Sequence, residues 1–135
     1  MLNPSVEVIY EQSCKISECM KNIFDVITDD RQSCACISGL IEQLELLCQM
    51  HFKFEDQLLE ELNYPSALKQ KKLNDSFLKA VGQFKTENIQ CHTPSFFNSF
   101  VELRLDFLAN MNNETLMLCD FILNNSSGDT TVTSH

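Results

Sequence analysis

Residues 51–65 read HFKFEDQLLEELNYP, and in this stretch His51 and Glu55 lie one helical turn apart on the same face as the apolar residues. Pro65 predicts that the helix stops near Asn63, because the residue before a proline is pushed out of the helical region. An imidazole and a carboxylate that face a core cost free energy unless a partner satisfies them, and a metal ion is a common partner. The stretch therefore predicts an amphipathic helix with candidate metal ligands at His51 and Glu55.

Three further segments, 5–28, 66–88 and 93–124, also carry apolar residues at steps of three and four. Ser33 and Thr93 stand at the starts of two helices as predicted N-caps, and the last pattern places Phe107, Leu108 and Met111 on its inner face. Four helices with short links can bury their faces only against each other. The sequence predicts an all-α, up-down-up-down antiparallel four-helix bundle over 1–124 and a flexible polar tail over 125–135.

The chain has 135 residues and a net charge of −9, which argues against nucleic acid or a membrane surface as a partner. It contains no apolar run of the roughly 18 to 20 residues that a membrane span needs. The first residues lack the basic-then-apolar order of a signal peptide. We expect a cytoplasmic protein whose partner, where it has one, is another protein or a second copy of itself.

Seven cysteines are present, which is an odd number in a chain without an export signal. This count predicts reduced thiols and not a disulfide framework. The pair Cys34 and Cys36 lacks the spacing of a zinc knuckle, and no second close pair completes a tetrahedral set. The other five cysteines are Cys14, Cys19, Cys48, Cys91 and Cys119.

Polar residues interrupt the apolar face of every predicted helix. Bundle cores hold metal and cofactor sites where such side chains converge from facing helices, so these residues are candidates to line one core volume. Asp120 lies just off the stripe, one turn beyond the last of them. The set on the stripes comprises Ser13, His51, Glu55, Gln70, Asn74 and Thr115.

Residues 51–55, the pair Tyr64-Pro65 and residues 74–78 together resemble the hemerythrin family. That family has a histidine, a glutamate four residues later, Tyr-Pro at the turn, and a helix with two histidines four residues apart. The resemblance implies that Gln70 and Asn74 occupy those two histidine positions. Residues 9–12 resemble the family's N-terminal motif, which puts Ser13 at another histidine position. Residues 111–116 resemble its last motif, which puts Thr115 at the fifth.

In hemerythrins, five histidines, one glutamate and one aspartate hold two bridged irons that bind dioxygen reversibly. By this resemblance the chain keeps three of the seven ligands, namely His51, Glu55 and Asp120. Hydroxyl and amide groups are poor replacements for imidazole at iron. The resemblance therefore implies a degenerate metal site that lacks most of its ligands.

We expect a metal-free bundle in which uncharged side chains satisfy the remaining His51, Glu55 and Asp120. Such a protein would hold no cofactor, would not be an enzyme, and would serve as a non-catalytic binding or interaction module. The alternative is a weak site for a single Fe or another divalent metal at His51, Glu55 and Asp120, used to sense iron or oxygen. An enzyme with a mononuclear iron site has the least support. No nucleophile–base pair follows from the spacing either, since no cysteine or serine is placed against His51 by spacing alone.

Overall fold

A computed structural model describes the backbone of residues 3–86 and 90–134, and the side chains within 3–86 and 90–125. Helix α1 spans Pro4–Thr28, α2 spans Ile37–Glu61 after a short 3-10 turn, and α3 spans Ala67–Thr86. The fourth helix of the bundle consists of α4 (Pro94–Asp106), a π-helical turn (Phe107–Met111) and α5 (Asn112–Ser134). Helix α1 packs against α2 and α5, while α3 packs against α2 and α4. The prediction of an all-α four-helix bundle is confirmed.

The helix starts follow from local capping chemistry. Asn3 Oδ1 accepts a hydrogen bond of 2.8 Å from the Ser5 amide, and Pro4 occupies the first turn of α1. Thr93 Oγ1 accepts from the Phe96 amide at 3.3 Å, with Pro94 again in the first turn. Both prolines occupy positions where the missing N–H has no intrahelical partner.

At its other end, α2 stops at Glu61 and the chain turns through Asn63, whose φ is 51°. Asparagine is among the few side chains that tolerate this left-handed conformation. The predicted stop ahead of Pro65 is therefore confirmed.

Two apolar clusters fill the bundle, and a layer of polar residues, here called the polar layer, lies between them. The larger cluster includes Ile16, Phe52, Phe77 and Met111, and the smaller one includes Ile9, Leu59 and Leu118. The polar residues fall between members of the two clusters in the sequence of α1, α2 and α5, and beside the larger cluster on α3. The polar layer comprises the buried His51, Glu55, Gln70, Asn74 and Thr115 and the half-buried Ser13.

The fourth helix contains a π-helical turn, in which the Asn112 N–H bonds to the Phe107 carbonyl five residues earlier. Such a turn adds one residue to the helix and changes the direction of the side chains that follow it. Phe107 and Met111 are buried as predicted, but Leu108 is 48% exposed. The prediction for Leu108 was wrong, because adjacent residues point about 100° apart around a helix and a buried Phe107 therefore turns Leu108 toward solvent.

Cys34 and Cys91 form a disulfide with a Cα–Cα distance of 5.7 Å, whereas the other five cysteines are free. The prediction of reduced thiols is thus wrong for these two residues. Cys34 opens the 3-10 turn before α2, and Cys91 lies just before α4. The bundle brings these two links to the same end of the molecule, which a cysteine count cannot show.

No helix within the described residues is long and apolar enough to cross a membrane. Helix α5 carries the backbone on to Ser134, but the side chains beyond residue 125 and all of His135 lie outside the described part of the chain. The flexible tail over 125–135 therefore stays a prediction.

Candidate functional site

The candidate site is the polar layer, and its central residue is Glu55, which is 0% exposed. Thr115 Oγ1 donates a hydrogen bond of 2.9 Å to Glu55 Oε2, and Asn74 Nδ2 donates one of 3.4 Å to Glu55 Oε1. Gln70 Nε2 in turn donates to Asn74 Oδ1 at 3.4 Å. Three helices therefore meet at one carboxyl group, and uncharged side chains provide its hydrogen bonds.

His51 lies on the same side of α2 as Glu55 and is also buried. Its Nε2 is 3.4 Å from Glu55 Oε2, and its Nδ1 is 2.9 Å from Gln12 Oε1 on α1. An amide oxygen can only accept, so this contact places the proton of a neutral imidazole on Nδ1. The Nε2 lone pair then faces Glu55 and can accept a hydrogen bond from the protonated carboxyl group.

Burial shifts the pKa values of this pair in opposite directions, because it disfavours the charged form of each group. It lowers the pKa of His51 to about 4 and raises the pKa of Glu55 to about 7, although hydrogen bonds from Thr115 and Asn74 oppose the latter shift. Both effects favour an uncharged pair at slightly acid pH, a carboxylic acid beside a neutral imidazole. A charged ion pair is correspondingly disfavoured in this buried layer.

Ser13 and Asp120 do not join this buried network. Ser13 is half-buried, and its Oγ donates to Asn112 Oδ1 at 3.1 Å. Asp120 is exposed and lines a groove between α1 and α5. Five residues of helix turn the chain by about 140° beyond one full turn, so a buried Thr115 directs Asp120 toward solvent. His51, Glu55 and Asp120 are not brought together as a ligand set.

Among the described residues, three potential ligand atoms lie within 4.8 Å of one another only at Cys34, Cys91 and His92. The polar layer thus offers one imidazole and one carboxyl group as strong donors. A diiron centre needs several more donors to fix two cations, so the residues present do not fit that group. The Gln70 Oε1 atom is buried without a hydrogen-bond partner, and it is a weaker oxygen donor in the same layer.

The groove between α1 and α5 encloses about 520 Å³, a volume typical of small-molecule sites. Its walls are mainly apolar, with Ile9 and Tyr10 on α1 facing Leu116 and Leu123 on α5. Neutral polar groups also line it, at Ser13, Asn112 and Thr115, and Asp120 adds one exposed carboxylate. The groove therefore reaches the polar layer from outside, because Thr115 both lines it and binds Glu55.

Sequence reasoning missed two residues of this site, Gln12 and Asn112. Gln12 orients His51 from α1, and Asn112 accepts the hydrogen bond of Ser13. The available signal was their place in residues 9–12 and 111–116, the two stretches that resemble family motifs and stand next to Ser13 and Thr115. That signal is weak, because most such residues face solvent.

Over 84 residues the chain is 27% identical to the bacteriohemerythrin of Stenotrophomonas maltophilia, a match that covers 62% of this chain and 54% of that protein. It is 29% identical to the bacteriohemerythrin of Pseudomonas aeruginosa, again over 84 residues and with the same coverage. The chain spans about half the length of the curated relatives it matches. No protein-family model matches it, and no solved structure matches it.

Proposed function

Because the chain is a hemerythrin-like protein, we propose that it retains the family's bundle without a diiron dioxygen site and serves as a non-catalytic binding module. The hydrogen bond from Thr115 to Glu55 carries this proposal. The resemblance to hemerythrins implies a histidine ligand at position 115. In this chain the hydroxyl of Thr115 donates a hydrogen bond to the Glu55 carboxyl group instead. A carboxyl group that accepts from a hydroxyl and an amide needs no cation to offset its burial.

The pKa values of the layer support the same proposal. A bridging ligand must be a carboxylate, but burial raises the pKa of Glu55 to about 7. Metal binding would have to displace the Thr115 hydrogen bond and, in the molecules where Glu55 is protonated, remove this proton. The second bridging carboxylate implied by the resemblance, Asp120, is exposed in the groove instead.

A second candidate function is weak binding of a single divalent metal, used to sense iron or oxygen. The observation that favours it is the buried Gln70 Oε1, which has no hydrogen-bond partner. A cation held by His51, Glu55 and this oxygen would supply that missing partner. The ligand set would be one nitrogen and two oxygens, which suits Fe or Mn weakly.

Metal content separates the two candidates. The full chain is expressed with added iron and purified, and metal per chain is measured together with the absorption of an oxo-bridged diiron centre. We expect no stoichiometric metal and no such absorption, because the layer supplies too few strong donors. We also expect an unchanged melting temperature on addition of a chelator.

The matched control is His51→Ala, which removes the imidazole of the layer. One metal per wild-type chain that is lost in His51→Ala would replace the proposal with the single-metal candidate. Two irons per chain with oxo-bridge absorption would contradict both candidates.

The binding surface of the proposed module is the groove between α1 and α5, and its proposed occupant is a small, uncharged, apolar molecule. The apolar walls favour such a ligand, and the hydroxyl and amide groups of Ser13, Asn112 and Thr115 could orient it. A net charge of −9 disfavours an anionic ligand. The proposal places the protein in the cytoplasm and leaves a protein partner or a second copy of the chain as competing occupants.

A neutral solvatochromic dye, Nile red, tests the groove. We expect saturable binding to the full chain and about tenfold weaker binding to Leu116→Asp, which corresponds to about 1.4 kcal/mol. The substitution puts a carboxylate on the apolar wall, where bound dye would have to desolvate it. Fluorescence titration gives the two dissociation constants.

Leu105→Asp is the control, because Leu105 is 59% exposed and Leu116 is 65% exposed, but only Leu116 lines the groove. Equal weakening by the two variants would reject the groove as the site. Sedimentation of the wild type as a dimer that Leu116→Asp dissociates would assign the groove to a second copy of the chain.

A further inference from the structure

One cluster of reactive side chains lies away from the polar layer, at the end of the bundle where two links meet. It contains the bonded Cys34 and Cys91 and the imidazole of His92, with the two sulfurs and a ring nitrogen within 4.8 Å of one another. Cys91 is buried, whereas Cys34 is half-buried and His92 is exposed. Nothing in the proposed binding function uses these residues.

The environment of His92 favours its cationic form. Its Nδ1 lies 3.2 Å from the carbonyl oxygen of Ile27, and its Nε2 lies 2.8 Å from that of Gln32. Carbonyl oxygens only accept, so both ring nitrogens must carry a proton to make both bonds. These bonds raise the pKa of His92, with a smaller contribution from the charges of Asp30 and Asp29.

We propose that Cys34, Cys91 and His92 form a reversible thiol–disulfide redox site that exchanges with low-molecular-weight thiols of the glutathione class. A cation beside a cysteine stabilises the thiolate that reduction produces, but it gains nothing comparable from the disulfide. The imidazolium of His92 therefore favours the reduced state of the pair. The proposal is independent of the binding function and of any metal at the polar layer.

The exchange begins at Cys34, because its sulfur belongs to the less buried residue of the pair. The thiolate of an external thiol forms a bond to Cys34 Sγ, and the Cys34–Cys91 bond breaks. The electron pair of that bond leaves on Cys91 Sγ, whose thiolate then lies beside the His92 imidazolium. A second external thiol attacks the external sulfur of the mixed disulfide, which releases Cys34 and an external disulfide. The two external thiols together lose two electrons, which reduce the Cys34–Cys91 disulfide. One of their protons passes to Cys34 and the other to water.

The site would couple the redox state to the geometry of one end of the bundle. The disulfide joins the 3-10 turn before α2 to the link before α4, and His92 also binds the end of α1 through Ile27. Reduction removes the covalent link and leaves the hydrogen bonds of His92 to hold the same end.

The test equilibrates the full chain in glutathione buffers of increasing reduced-to-oxidised ratio with EDTA present. Free thiols are trapped by alkylation, and mass spectrometry of peptides quantifies Cys34 and Cys91. We expect the two cysteines to become alkylated together over one transition. We expect the equilibrium constant for reduction by glutathione to be about tenfold smaller in His92→Gln than in the wild type. This corresponds to a midpoint potential that is about 30 mV more negative.

Two further variants keep the result interpretable. His92→Arg retains a cation and should have a midpoint closer to the wild type than to His92→Gln, and circular dichroism confirms that each variant is folded. Cys36→Ser removes an exposed free thiol of the same 3-10 turn and should leave the midpoint unchanged. Equal midpoints for the wild type and His92→Gln, or separate alkylation of Cys34 and Cys91, would overturn the proposal.

Discussion

Replacing both Cys34 and Cys91 by serine is expected to lower the free energy of unfolding by about 4 kcal/mol. The two cysteines are separated by 57 positions, so their bond closes a long loop in the unfolded chain. A loop of that length removes much of the conformational freedom that the unfolded state would otherwise gain. Urea unfolding of the oxidised wild type and of the double variant gives the two free energies.

Treating the wild type with a reductant should reproduce most of this loss, because the same loop is then open. The variant Cys14→Ser serves as control, since Cys14 is an exposed free thiol and surface substitutions usually change stability by less than about 0.5 kcal/mol. A double variant as stable as the wild type would contradict the expectation. It would indicate that these cysteines are not bonded in the protein as isolated.

Replacing Glu55 by glutamine is expected to make the stability of the protein fall steeply as the pH is lowered from 6.5 to 4.5. Burial lowers the pKa of His51 from 6.5 to about 4, so in this range the unfolded chain binds a proton on His51 that the folded chain does not. Stability contributed in this way is lost as the pH falls. The slope approaches about 1.4 kcal/mol per pH unit, which amounts to about 2 to 3 kcal/mol over the range.

In the wild type, Glu55 opposes this slope. Burial raises its pKa from 4.5 to about 7, so the folded chain keeps a proton that the unfolded chain loses as the pH rises. Its contribution to stability is present at low pH and is lost as the pH rises from 4.5 to 7. The two contributions nearly cancel between pH 4.5 and 6.5, because one proton is released and one is bound.

The reciprocal variant, His51→Gln, should therefore show the opposite slope, with stability falling as the pH rises. The double variant His51→Gln with Glu55→Gln should regain the pH dependence of the wild type, because both titrating groups are then absent. Urea unfolding at several pH values gives all four curves. If the free energies of unfolding of the two single variants changed with pH in parallel, the pKa values of His51 and Glu55 would not shift on folding in the opposite directions given above.

Much of the fold was predictable from short-range patterns. Thr93 and Pro94 mark the start of α4, Pro65 marks a stop, and the apolar residues between such signals repeat with the period of a helix. Ser33, predicted as the N-cap of the second helix, caps the 3-10 turn that precedes α2. These signals depend on the few residues around each position, so the bundle follows from the sequence. The π-helical turn at Phe107–Met111 does not, because no residue in it breaks the helical pattern.

The candidate site was predictable in part. The burial of His51, Glu55, Gln70, Asn74 and Thr115 follows from their place on apolar stripes. Their hydrogen bonds do not, because the partner of Glu55 on α5 is 60 positions away in the chain. Asp120 shows most clearly what the sequence could not predict. It aligns with a ligand position of the family, but the alignment does not tell in which direction its side chain points, and it is exposed.

The sequence by itself determined four amphipathic helices, their approximate ends and a set of polar residues on their inner faces. Tertiary structure alone decided that Thr115 and Asn74 satisfy Glu55, that Gln12 orients His51, and that Cys34 meets Cys91. The physical reason is the range of the interactions. Capping and periodicity act within a few residues, whereas a hydrogen bond or disulfide between helices depends on how all four helices pack around a shared core.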